Sequence, residues 1–342
     1  MKKILSIDGG GIRGIIPGQV LIALEDKLQK MTNNPNARIA DYFDFFAGTS
    51  TGGILTCILL CPSDTDPGHT KFSANDAVNL YVNNGHHIFS VSLLHKIVSL
   101  DGILEEKYEA TAIESYLKEY FDKLRLSELL KPCIITSYDI HRRQTKFFAQ
   151  QDFAIEGKVA DFYVKDVCRA TSAAPTYFQT ELVKSLSGEY YACIDGGVFA
   201  NNPTLCAYSE VRNADGSPTA KDMFVLSIGT GSQEKPYDYD KAKNWGADGW
   251  VKPIIDIMMS GAAEVTDYHM TMMFSANGNE ANYVRIQPSS LKNADPQMDD
   301  ASPKNIAALI EVGKETAKSC DKELDKVVDV LLSTSDPVIF SK

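Results

Sequence analysis

Apolar residues in the first 61 positions fall into runs of two alternating kinds. KKILSID (2–8) is a short apolar run ending in glycines, which predicts a strand. IIPGQVLIALEDKLQKM (15–31) places its apolar residues at helical spacing. DYFDFFAG (41–48) predicts a second buried strand, and STGGILTCILLC (50–61) a helix apolar on most sides. This alternation predicts a parallel sheet with helices on its faces.

The pattern continues with a polar turn-rich loop at 61–72, a helix across 74–84 and an interrupted apolar stretch, HHIFSVSLLHKIVSLDGIL (86–104). KYEATAIESYLKEYF (107–121) predicts a helix, PCIITSYDI (132–140) and QTKFFAQ (144–150) neighbouring strands joined through HRR. DFYVKDVCRATSAAP (161–175) predicts a helix stopped by Pro175. EYYACIDGG (189–197) and DMFVLSIGTG (222–231) predict strands that each end in a glycine turn. A Met-rich helix is predicted from Pro253 to about Phe274, and one across 301–332, opened by Ser302 as cap and Pro303 as first helical residue. No Pro/Gly/Ser-rich linker interrupts the chain, so residues 1–342 read as one domain whose last part, 240–335, is helical.

Composition narrows the function classes. A net charge of −11 argues against a nucleic-acid polymer as partner and against strong electrostatic capture by an anionic membrane. No stretch approaches the roughly 20 apolar residues of a membrane span, and MKKILSIDGGGIRG is broken too soon to be a secretory core. Seven cysteines without a C-x-x-C pair read as reduced and buried, which points to a cytoplasmic protein.

Four places invite chemistry. DGGGIRG (8–14) holds G-x-G-x-x-G between a strand and a helix; beside the plain reading, a glycine turn that packs helix on strand, stand two of similar weight, a dinucleotide loop and an oxyanion hole. The dinucleotide reading wants an acidic residue at the end of the next strand, whereas Glu25 and Asp26 fall inside the first helix. AGTSTGG (47–53) sets Ser50 between Gly48 and Gly52 at a strand-to-helix junction, the form of a nucleophile elbow; the plain alternative is a Ser-Thr turn capping a helix.

A serine nucleophile ordinarily takes its base from histidine, so the six histidines are the third place. His69 lies in a polar loop, His86, His87 and His95 in the interrupted apolar stretch, His141 in a turn beside two arginines. His269 is the one histidine after Asp195, as a Ser…Asp…His order requires, yet no turn signal surrounds it. The fourth place is YYACIDGGVFANNP (190–203), where Asp195 ends an apolar strand before a double glycine. It either caps that turn or acts as a base whose pKa burial has raised.

These motifs together resemble the patatin-like phospholipase family: DGGGIRG near the start, GTSTGG, the SAAPTYF block at Ser172 to Phe178, and DGG followed by NNP, in order across about residues 3 to 231. The resemblance implies a three-layer α/β/α fold with a mainly parallel central sheet, and a serine lipid acyl hydrolase using a Ser–Asp dyad without histidine. Ser50 is then the nucleophile and Asp195 the general base. The glycine loop Gly9, Gly10, Gly11, Ile12, Arg13 and Gly14 forms the oxyanion hole, chiefly through the N–H groups of Gly10, Gly11 and Ile12. Phospholipid at a membrane surface is the implied substrate, with no metal and no cofactor. Family members switched on by cyclic nucleotides in antiphage defence extend the expectation to such an activator, and the long C-terminal helix to self-association. Two segments are candidates for lipid access, with plain core the favoured reading of each: a lid at IFSVSLLHKIVSL (88–100), broken by His95 and Lys96, and an acyl-channel wall in the Met-rich 258–274 segment. The competing readings are a nucleotide-binding protein using 9–14 and a non-catalytic member of the same fold.

Overall fold

The computed structural model describes residues 1–89, 110–232, 236–334 and 337–341, so residues 90–100 of the expected lid lie outside the described residues. The strands are β1 (Lys2–Ile7), β2 (Phe45–Thr49), β3 (Cys133–Asp139), β4 (Gln144–Ala149), β5 (Glu181–Lys184), β6 (Tyr190–Asp195), β7 (Met223–Ile228) and β8 (Tyr283–Ile286). The main helices are α1 (Ile15–Thr32), α2 (Thr51–Leu59), α3 (Ala74–Ile88), α4 (Thr111–Phe121), α5 (Val164–Thr171), α6 (Thr204–Asn213), α7 (Ala247–Ala276), α8 (Pro303–Ser319) and α9 (Asp321–Leu332).

One mixed sheet runs β5-β6-β3-β2-β1-β7-β8, with β4 paired to β3. Its centre, β3-β2-β1-β7-β8, is parallel. Strand period decides which side each residue faces. Leu5, Ile7, Phe46, Cys133, Ile135 and Leu226 pack into one core with α1, α2, α8 and α9. Their neighbours Ile4, Phe45, Ala47, Ile134 and Val225 pack into a second core with Ala207 and Val211 of α6 and Met270 and Phe274 of α7. The sheet is thus covered on both faces, giving three layers.

Several elements differ from the sequence reading. The 41–48 run splits into a helical turn, Ile39–Tyr42, and a strand that begins only at Phe45. β4, β5 and β6 are antiparallel to their neighbours. The C-terminal part is not purely helical, because β8 extends the parallel sheet. The last helix breaks at Cys320, so 301–332 is two helices. Lys3 is buried, and its ammonium caps the end of α9 by donating to the carbonyls of Leu331 at 2.8 Å and Ser333 at 2.6 Å. Among the described residues no helix is long and apolar enough to cross a membrane. All seven cysteines are unpaired, five of them buried.

Candidate active site

The glycine loop leaves the carboxyl end of β1. Asp8 is buried and held by Arg285 of β8, whose Nη1 donates to Oδ1 at 2.8 Å. The loop's N–H groups are then divided. Gly9 donates to the Asn201 carbonyl at 3.0 Å, Ile12 to the Met298 carbonyl at 2.8 Å and Arg13 to the Gly10 carbonyl at 3.2 Å. Ile12, expected among the oxyanion donors, is therefore already committed. Among the described residues, the N–H groups of Gly10 and Gly11 have no partner. Gly11 holds φ 58°, a conformation that favours glycine. Arg13 is buried with Nη1 on the Gly231 carbonyl at 3.1 Å, and Gly14 packs its α-carbon against Thr51.

The elbow is built by close approach. Ser50 sits between β2 and α2 with φ 53° and ψ −123°, a strained conformation for a residue with a side chain. A Cβ on Gly52 would lie 2.2 Å from the Ile7 carbonyl oxygen, and one on Gly48 would lie 2.4 Å from the Gly52 carbonyl oxygen. Both flanking glycines are thus required by neighbouring backbone. The Ser50 N–H is satisfied by Thr171 Oγ1 at 2.8 Å, and that hydroxyl donates on to the Thr136 carbonyl at 2.6 Å.

Asp195 reaches Ser50 through the pairing of β3. On one edge β3 carries β4 along most of its length. On the other edge β2 occupies the first half, ending at Thr49 opposite Thr136. β6 occupies the second half, running the opposite way and ending at Asp195 opposite Ser137. The two strands meet end to end, so the residues at their carboxyl ends come together. Gly196 completes the approach by lying where any Cβ would be 2.6 Å from the Thr136 carbonyl oxygen. The Asp195 carboxylate accepts from the Gly197 N–H at 2.7 Å, and the Ser50 hydroxyl is near enough to favour its ionised form. Burial outweighs both and lifts its pKa to about 6.

None of the five described histidines approaches this pair. His69, His86, His87, His141 and His269 are all exposed; His95 lies outside the described residues. Glu25 does not serve a nucleotide either. It is buried and accepts from the N–H groups of Ile39 and Ala74 at 3.2 and 3.0 Å, a structural link between three segments.

Beside the pair lies a cleft with ≈ 630 Å³ of empty space including its open mouth, its walls mostly apolar. Ser50, Asp195 and Gly11 line it with Leu80, Ile88, Phe89, Ile113, Leu117, Tyr177 and Phe178. Of the methionines in 258–274, Met259 lines the cavity, whereas Met270 is packed in the second core and Met258 and Met272 are exposed. Sequence reasoning missed Thr171, Met298 and the Asp8–Arg285 pair. Tyr177 and Phe178 lay in the noted SAAPTYF block without a role.

A family model for patatin-like phospholipase matches residues 5–208. The chain belongs to that family. Patatin-like protein 2 of Oryza sativa subsp. indica is 36% identical, covering 96% of this chain and 88% of its own. Patatin group D-2 of Solanum tuberosum is 34% identical over 93% of this chain and 84% of its own. A third relative, Probable inactive patatin-3-Kuras 1 of Solanum tuberosum, is 33% identical over 94% of this chain. VipD from Legionella pneumophila covers 95% of this chain at 12% identity with a TM-score of 0.36, a likeness too weak to carry argument. As a member, the chain is a patatin-like phospholipase in the general sense, a hydrolase of acyl esters.

Proposed function

We propose that this chain cleaves fatty-acyl esters of phospholipids at a membrane surface through a Ser50–Asp195 dyad and an acyl-enzyme. The observation that carries the reading is a serine on a strained elbow that shares the wall of an apolar cavity with a buried carboxylate. The reaction runs in two halves. Asp195 takes the Ser50 proton as Oγ attacks the ester carbonyl, and the oxyanion is held by the N–H groups of Gly10 and Gly11. Each such donor contributes on the order of 3 kcal/mol to the transition state. Collapse expels the lysolipid alkoxide, which takes the proton back from Asp195 and leaves acyl-Ser50. Water then gives its proton to Asp195, attacks the acyl-Ser50, and releases the fatty acid as Ser50 is reprotonated. The chain of the acyl group occupies the apolar cavity throughout.

The test is fatty-acid release from phosphatidylcholine and phosphatidylglycerol vesicles in buffer with EDTA. Ser50→Ala and Asp195→Asn are expected to lose release, and His269→Ala to keep most of it. A His269→Ala variant as inactive as Ser50→Ala would replace the dyad with a triad. Repeating the assay with added cyclic nucleotides tests the activator that the family resemblance implies.

A further inference from the structure

A second cavity adjoins the first, and its chemistry is opposite. It holds ≈ 840 Å³ of empty space including its open mouth, and Met259 and Met298 line both cavities. Its outer wall is one face of α7, where Asp256, Ser260, Glu264 and Asp267 recur at helical spacing. Arg285 lines it too, but that guanidinium is closed on Asp8. Arg13 is the other cation on the wall, so Asp256, Glu264 and Asp267 leave the chamber with an excess of negative charge. Asp256 and Asp267 each accept one tyrosine hydroxyl, from Tyr237 at 2.9 Å and Tyr283 at 2.6 Å, and keep further acceptor capacity.

Asn201 joins this chamber to the reacting atoms. It is 8% exposed, lines the chamber, and its Oδ1 has no hydrogen-bond partner among the described residues. The same oxygen lies 3.2 Å from the point where a Cβ on Gly197 would sit, with Asp195 Oδ1 3.1 Å from that point. It is an acceptor placed next to the dyad and left without a donor from the chain. Such a group calls for a donor from a ligand or water.

We infer that this polar chamber receives the lipid head on the leaving-group side of the ester and selects a head that ends in a cation, such as choline or ethanolamine. The inference rests on the proposed Ser50–Asp195 hydrolase. With the acyl chain in the apolar cavity, the ester sits at the junction of the two, and the rest of the lipid must leave on the polar side. An ammonium there faces the carboxylates of α7, whereas an anionic lipid with a neutral glycerol head gains no such partner. Half-exposed charge pairs of this kind contribute about 0.2–1 kcal/mol each, enough for selection without being needed for turnover.

The test compares dihexanoyl-phosphatidylcholine with dihexanoyl-phosphatidylglycerol, both kept below micelle-forming concentration so that no interface contributes. Each rate is divided by the same protein's rate on p-nitrophenyl butyrate, an ester without a lipid head. The wild type is expected to prefer the choline lipid in kcat/KM. Asp256→Asn/Glu264→Gln should lower that preference roughly fivefold. Glu264→Gln alone, at an exposed position, should move it in the same direction. A wild type without the preference, or a ratio unmoved in both variants, overturns the inference. If Ser50→Ala still cleaves p-nitrophenyl butyrate, the dyad itself is overturned, whatever the head-group ratio shows.

Discussion

Thr171 supports Ser50: its hydroxyl accepts the Ser50 N–H at 2.8 Å and donates to the Thr136 carbonyl at 2.6 Å. The hydroxyl therefore ties the elbow to β3, the strand that also fixes Asp195. Thr171→Val keeps the shape and removes both bonds, leaving a buried N–H and a buried carbonyl unsatisfied. It should cost about 2 kcal/mol in urea unfolding. The altered elbow should lower kcat more than it changes KM. Thr171→Ser should restore most of both, which a role in packing alone would not give.

The base predicts its own pH dependence. Burial raises Asp195 to about 6, and the proposed base acts only when ionised. kcat/KM should therefore rise with pH through about 6 and level off above it. At pH 5 it should stand at roughly one-tenth of the plateau. A profile flat from pH 5 to 8 would remove Asp195 from that role.

The same shift makes a prediction about stability. An acid whose folded pKa lies above its unfolded value binds more protons in the folded state, so its contribution weakens as pH rises through about 4 to 6. Asp195→Asn removes that cost. This variant should be more stable than wild type at pH 8, by up to the order of 3 kcal/mol, and no more stable at pH 4. Thermal melts at the two pH values check the sign.

Gly52 has no room for a methyl group, since its Cβ would meet the carbonyl oxygens of Ile7 at 2.2 Å and Asp8 at 2.7 Å. Both obstacles are backbone, so relief requires β1 and α2 to separate. Gly52→Ala should lose about 3 kcal/mol of stability in denaturant unfolding, together with measurable esterase activity.

Asp8 and Arg285 form a pair separated by 277 positions in the chain, and Asp8 is 2% exposed. Arg285→Met strands a buried carboxylate at the root of the glycine loop and should cost about 4 kcal/mol. Asp8→Asn placed in that background removes the stranded charge and should recover a good part of the loss. Urea midpoints of the single and double variants measure the coupling.

Ser50 and the loop at 8–14 were legible because their constraints are local: apolar strand, then glycines, then helix, all within a dozen residues. Asp195 was legible as a carboxylate at a strand end, but the way it reaches Ser50 was not. That depends on β6 running against β3, and a six-residue apolar strand carries no mark of its direction. β8 was missed for a related reason. YVRI is four residues long, and what makes it a strand is its pairing with β7 and the Arg285 contact to Asp8. Thr171 carries no local mark of its role, because its contacts to Ser50 and Thr136 lie 121 and 35 positions away. The break at Cys320 fell inside an unbroken helical periodicity and shows only in the backbone.

The end-to-end meeting of β2 and β6 on β3 also has a consequence for biosynthesis. Ser50 leaves the ribosome 145 positions ahead of Asp195, so a nascent chain carries the proposed nucleophile long before its base. The two become neighbours only when Tyr190–Asp195 closes onto Ser137–Asp139, and a slip of one residue there would turn the carboxylate to the opposite face. On the proposed mechanism, an unfinished or misregistered chain therefore lacks the base that its serine needs.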